Sequence, residues 1–190
     1  MPETNTSKIN PWNSWLKLEA AWREQPTERR ATLVKAVRDH MEEEIRGHLE
    51  PLMDTLTAEP IYHFWGSGDN NMVIEGREAV RAFYSNMFAT GGNQFEVVVE
   101  NLIVGDDYVV TEGAVKQVRT GAVARAFGLE AIDGQPLADD ELVLTTARLV
   151  TLWPGDPEGK LVGEDIYFGE SPLSGAARIT RDDLPDYYSI

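Results

Sequence analysis

The run Gly76-Arg77-Glu78-Ala79-Val80-Arg81-Ala82-Phe83-Tyr84 constrains the fold of this chain more than any other segment. Glycine interrupts what precedes it, and Ala79, Val80, Phe83 and Tyr84 then recur at the spacing that puts one apolar face on a short helix. Its place in the order of elements says more than its own pattern. A long helical stretch ending near Thr57 comes first, then a short aromatic strand at residues 61–65, then this helix, and beyond it mainly strand-like segments. Helices followed by strands predict an α+β fold.

Residues 11–24 carry Trp12, Trp15, Leu16, Leu18, Ala21 and Trp22 on a helical stripe, which packs onto the domain or a partner subunit, or else covers a ligand. Thr27 or Glu28 opens the long helix, with Val34, Val37, Met41, Ile45, Leu49, Leu52, Met53 and Leu56 on one face. Pro51 lacks an N–H and clashes with the carbonyl of Gly47, so a kink or break is expected there. Strands are expected at 95–104, 108–118, 142–153 and 161–168, with a short helix near 124–127. The turn formers at 154–159 should make the last two strands a hairpin. The tail, 180–190, is either disordered or docked on the surface. The division expected is an N-terminal helical extension at 1–26, one domain at 27–172 and a C-terminal tail at 173–190.

At 190 residues and 42% hydrophobic, the chain can bury one core. Its 17 basic and 32 acidic residues give a net charge of −15, which repels phosphate backbones and anionic membranes. Neither a nucleic-acid nor a membrane partner is expected. Apolar runs fall short of the roughly 18–20 residues of a membrane span, and the amino terminus lacks a signal pattern. The absence of cysteine removes disulfides, thiolate metal sites and cysteine nucleophiles. A cytoplasmic protein is the expectation, although a cysteine-free chain is also compatible with secretion.

Three segments in this order, Thr57-Ala58-Glu59-Pro60-Ile61-Tyr62, the run from Gly76 to Tyr84, and Gly159-Lys160-Leu161-Val162-Gly163-Glu164-Asp165-Ile166-Tyr167-Phe168, resemble the nuclear transport factor 2-like superfamily. The resemblance covers roughly residues 30–170 and is to the SnoaL-like, ketosteroid isomerase and limonene epoxide hydrolase branches. It implies a cone: a curved, mostly antiparallel sheet wrapped around N-terminal helices and enclosing one pocket. It also implies a homodimer through the outer face of the sheet, a small apolar molecule as partner, and chemistry without a cofactor.

Strand parity sorts the candidate site residues. On the last strand Val162, Glu164, Ile166 and Phe168 share a face, and the isomerase resemblance puts that face inside. Glu164 would then be a desolvated carboxyl suited to general acid or base work. The other reading leaves Glu164 at the strand end paired with a surface base, and a slip of one residue would exchange it for Asp165. If Trp153 pairs near Lys160, Arg148 lies opposite Asp165 as an outward ion pair. Pocket positions on the preceding strand are then Val143, Thr145, Ala147, Leu149, Thr151 and Trp153. Leu149 stands where the isomerases carry an oxyanion-stabilising aspartate, and Phe64 or Trp65 where they carry their proton-abstracting aspartate.

His40, Glu44 and His48 lie on one helical ridge. One metal ion on all three is not expected, because eight residues of straight helix separate the outer pair by about 12 Å. By resemblance His40 enters the pocket near the isomerases' oxyanion tyrosine, and Tyr84 resembles the tyrosine that supports it. Glu44 either orients His40 or pairs at the surface near Arg46. The expected enzyme uses His40, Glu44, Tyr84 and Glu164 for cofactor-free cyclisation, isomerisation or hydration. Tyr62, Trp65, Phe83, Phe88, Leu149, Ile166 and Phe168 would shape its apolar substrate site, with no metal. The alternative is a non-catalytic ligand-binding or dimerisation module, its cavity filled by side chains.

Overall fold

The computed structural model describes residues 7–66 and 71–190; residues 1–6 of the proposed N-terminal extension lie outside the described residues. After a 3-10 turn at Pro11–Asn13 come α1 (Leu16–Trp22) and α2 (Glu28–Arg46). Thr27 starts α2 by accepting the Arg30 N–H at 3.3 Å, and Leu33, Val34, Val37, Met41 and Ile45 form its buried face.

The helix ends at Gly47, not at Pro51 as expected. Gly47 takes a left-handed conformation (φ 75°), and its N–H caps the carbonyls of Glu43 and Glu44. The chain restarts as α3 (Leu49–Asp54), where Pro51 falls in the first turn and its missing N–H removes no helical bond.

β1 (Leu56–Trp65) follows, beginning earlier than the aromatic run alone suggested, then β2 (Met72–Glu75) and α4 (Arg77–Ala89), the helix of the diagnostic motif. β3 (Phe95–Val104), β4 (Tyr108–Thr120), α5 (Gly121–Ala126), β5 (Ala131–Ile132), β6 (Gln135–Pro136), β7 (Leu142–Pro154), β8 (Leu161–Phe168) and β9 (Ala177–Ile179) complete the order. The main sheet runs β2-β1-β8-β7-β4-β3, with β9 also on β7; β5 and β6 form a separate hairpin. Only the β1–β8 pair is parallel among the described pairings of this sheet. The sheet is curved and unclosed, and its concave side packs on α2, α3 and α4. Val37, Met41, Leu52, Val80, Val109 and Trp153 are among the side chains of the shared core.

The register of the last hairpin differs from the expected one. Leu149 pairs with Phe168 and Leu152 with Asp165, so Arg148 does not face Asp165. Gly155 bridges Leu161, whose N–H bonds Thr55 O at 2.9 Å, so the chain is drawn toward β1 before it joins β7. Arg148 pairs instead with Glu100 (2.6 Å) and Glu112, and Asp165 with His63 (2.5 Å), on the outer face. At the β1–β8 seam Gly163 passes so close to Ile61 that a Cβ on it would lie 1.7 Å from the Ile61 carbonyl oxygen.

The tail docks, which settles the alternative left open by its composition. Ile179, Leu184 and Tyr188 join Ile9, Val118 and Leu144 in a small cluster behind the sheet, and Trp12 stacks on Tyr187 at 4.0 Å between ring centres. Trp15 and Leu18 of the tryptophan stripe are buried in the main core, whereas Trp12 is exposed apart from its stack.

Candidate functional site

Four elements bring one side chain each to the closed end of the cone: His40 from α2, Tyr62 from β1, Tyr84 from α4 and Glu164 from β8. His40 is fully buried. Its Nδ1 lies 2.6 Å from Thr55 Oγ1, and the Thr55 hydroxyl donates to the Leu52 carbonyl at 2.6 Å. With that proton committed, Thr55 Oγ1 can only accept, so His40 carries a hydrogen on Nδ1. Nε2 then faces Tyr84 OH (3.1 Å), Glu164 Oε1 (3.2 Å) and Tyr62 OH (3.3 Å).

Tyr84 donates to Glu164 Oε1 at 3.0 Å and also lies 3.2 Å from Tyr62 OH. A bare imidazole nitrogen and a bare carboxylate oxygen 3.2 Å apart would set lone pair against lone pair. The phenols relieve this opposition, because Tyr62 OH and Tyr84 OH lie within hydrogen-bond reach of Nε2 and Tyr84 also reaches Oε1. Burial, and then the negative charge of Glu164, push the Tyr62 and Tyr84 phenols well above their ordinary range, so both remain neutral donors.

Glu44 lies one helical turn beyond His40 and is buried, yet among the described residues its carboxyl has no hydrogen-bond partner. Burial and the Glu164 charge push its carboxyl well above the usual range, favouring the protonated acid. It does not hydrogen-bond His40 and is not at the surface, so neither expected role for it is what the geometry shows. His48 points outward to Glu43 at 2.7 Å. The set that does assemble is His40, Glu44 and Glu164, whose ligand atoms lie within 4.8 Å of one another and could hold a divalent cation.

From this end a cavity of about 260 Å³ opens between the helices and the sheet. Phe83, Leu149, Ile166 and Phe168 line it, together with Phe64, Met41, Met87 and Trp153. Trp153 meets His40 edge-on at 5.7 Å and donates its indole N–H to Thr111 Oγ1 at 3.0 Å.

Three expected wall residues are placed differently. Trp65 lies on the outer face of β1, stacked on His63 at 5.2 Å, because parity sends it opposite to Phe64. Phe88 packs behind Tyr84 at 6.0 Å without reaching the cavity, and Tyr62 is sealed in the polar cluster. The sequence reading missed Thr55, which sits in the turn between α3 and β1 and carries no pattern of its own. It also missed Gln117 and Arg119 on β4, although alternation from Thr111 and Val115 marks their face.

This architecture has relatives. Residues 37–149, more than half of the chain, match the family model of the SnoaL-like domain, and the chain belongs to that family. A candidate SnoaL-like polyketide cyclase from Jannaschia sp. CCS1 is 21% identical, with 76% of this chain and 90% of that one covered at a TM-score of 0.52. Bal32a, from a soil-derived mobile gene cassette, is 14% identical over 75% and 93% of the two chains, with a TM-score of 0.53. An NTF2-like protein from Anabaena variabilis ATCC 29413 is 15% identical over 76% and 94%, with a TM-score of 0.51. At these identities the likeness is one of fold. No match is found among curated protein sequences.

Proposed function

We propose that this protein is a SnoaL-like enzyme that moves protons without a cofactor, in a cyclisation, isomerisation or hydration of a small apolar molecule bearing a carbonyl or hydroxyl group. The observation that carries this reading is the convergence of His40 Nε2, Tyr84 OH and Glu164 Oε1 within 3.0–3.2 Å at the blind end of an apolar cavity. Glu164 reaches the cavity and takes a proton from substrate carbon or hydroxyl. His40 shares and relays that proton, while Tyr84 and the protonated Glu44 donate hydrogen bonds to the oxygen where negative charge develops. Leu149, Phe83, Ile166 and Phe168 hold the apolar body and exclude water.

The test is solvent exchange: cyclic ketones incubated in D2O with the enzyme should gain deuterium at the α-carbon, followed by NMR. Glu164→Gln should lower the rate by about a hundredfold or more and Tyr84→Phe by about tenfold, in line with single acid–base groups. Exchange no faster than buffer across the panel, or unaffected by Glu164→Gln, would refute it. We further infer a cytoplasmic homodimer. The exposed Val73 and Tyr167 on the outer side of the β1–β8 region support the dimer, which light scattering would check.

A further inference from the structure

The second polar group in the cavity lies far from the first. Arg119 is the one cation among the described lining residues, and it belongs to the opposite end of the β4–β7 wall. Gln117 pairs with Thr145 and Thr111 with Thr151, so six residues of strand, about 20 Å, separate the arginine's neighbourhood from the level of the His40–Glu164 cluster.

Arg119 is held rather than free. Its guanidinium donates to Thr145 Oγ1 at 2.8 Å and to Gln117 Oε1, while the Thr145 hydroxyl donates on to Gln117 O at 3.3 Å. Phe127 covers one face of the group at 5.7 Å. Two of five N–H donors are thereby used. Among the described residues no carboxylate pairs with Arg119, in a chain with 32 acidic residues, whereas Arg30, Arg38, Arg46, Arg81, Arg125, Arg148 and Arg178 all have such partners. Partial burial makes this unpaired charge costly and draws its pKa down.

A cation fixed by hydrogen bonds on the wall of a mainly apolar cavity, with no carboxylate paired to it among the described residues, is a receptor for an anion. We propose that Arg119 binds a carboxylate on the substrate, so that the ligand is an amphipathic monocarboxylic acid lying along β4 and β7. Its acid group sits at Arg119 and its apolar body and reacting carbon point toward Glu164. The charges favour this direction, because the Glu164 carboxylate repels an anion at the blind end while Arg119 attracts it at the other. They also favour a single carboxylate over a dianionic phosphate, which would meet the same repulsion and the net charge of −15 at twice the strength.

This assignment rests on the proposed ligand-binding cavity but not on the chemistry at its blind end, and the two fail differently. Decanoate and methyl decanoate share an apolar body and differ in charge, and isothermal titration of the full chain with each reads the Arg119 contribution. The acid should bind at least about tenfold tighter than the ester, a difference of ~1.4 kcal/mol. Arg119→Gln should abolish that preference, weakening the acid far more than the ester. Arg119→Lys should retain part of it, and serves as the informative variant if Arg119→Gln fails to fold. Equal binding of acid and ester by the native protein, or a preference that survives Arg119→Gln, overturns the assignment while the cavity reading stands. Binding of neither compound overturns both.

Discussion

Replacing Thr55 with valine tests how the histidine at the centre of the site is held. Valine matches threonine in shape, so the change deletes one hydroxyl and little else. That hydroxyl makes two bonds of 2.6 Å, accepting from His40 Nδ1 and donating to Leu52 O. The Leu52 carbonyl lies at the end of α3, where the Thr55 and neighbouring backbone can still reach it. His40 has no such recourse, being fully buried. A buried donor left without a partner costs about 1–3 kcal/mol. For a chain of this length each kcal/mol corresponds to roughly 2–4 °C, so Thr55→Val should lower the melting temperature by about 2–12 °C. Nitrogen NMR of the labelled imidazole should show the loss of the Nδ1-protonated tautomer, and Thr55→Ser should restore both readings. A melting point within about 1 °C of the native value, with the tautomer unchanged, would refute the chain of hydrogen bonds inferred here.

Two further outcomes follow from the same geometry. Because Glu44 binds its proton more tightly folded than unfolded, its contribution to stability is fully present below the ordinary carboxylate pKa of about 4.3 and is lost as pH rises through the raised folded value. Urea unfolding across pH should therefore show a decline toward neutrality that Glu44→Gln flattens; an unchanged slope in the variant would contradict a buried, protonated Glu44. At the β1–β8 seam, Gly163→Ala would drive a methyl group into the Ile61 carbonyl, so the variant should lose several kcal/mol or fail to fold, and a native-like circular dichroism melt would show that the seam is looser than described.

The general architecture was legible because it rests on short-range patterns. The glycine before Arg77, the apolar spacing in α4 and the alternation in β7 and β8 each survive in any context, and together they fix the order of helices and strands. The inward direction of Glu164 follows from parity in the same way. What escaped depended on contacts between distant segments. The break falls at Gly47 and not at the more conspicuous Pro51, because proline in the first turn of a helix disrupts nothing whereas glycine can take the left-handed conformation that ends one. The β7–β8 register is not set by the turn alone, since the Leu161 N–H bonds the Thr55 carbonyl, on the far side of β1, α4 and most of the sheet in sequence. Trp65 and Phe88 lie off the cavity because aromatic character does not specify a face of a strand or helix; only the packing of β1 and α4 does. Thr55 and Arg119 matter through partners on other elements, and no local spacing announces such partners.

The separation in sequence between His40 and Glu164 is 124 residues, with Tyr62 and Tyr84 in between. The carboxylate comes from the strand that docks beside both β1 and β7, and that strand follows α2, β1 and α4 in the chain. Long loops must close before it can pair, which makes its arrival slow compared with formation of the helices. A nascent or partly folded chain can therefore hold the histidine and both phenols in place and still lack the group that completes the cluster. Assembly of the buried polar cluster thus coincides with closure of the sheet, so the cluster reports on completion of the fold as a whole.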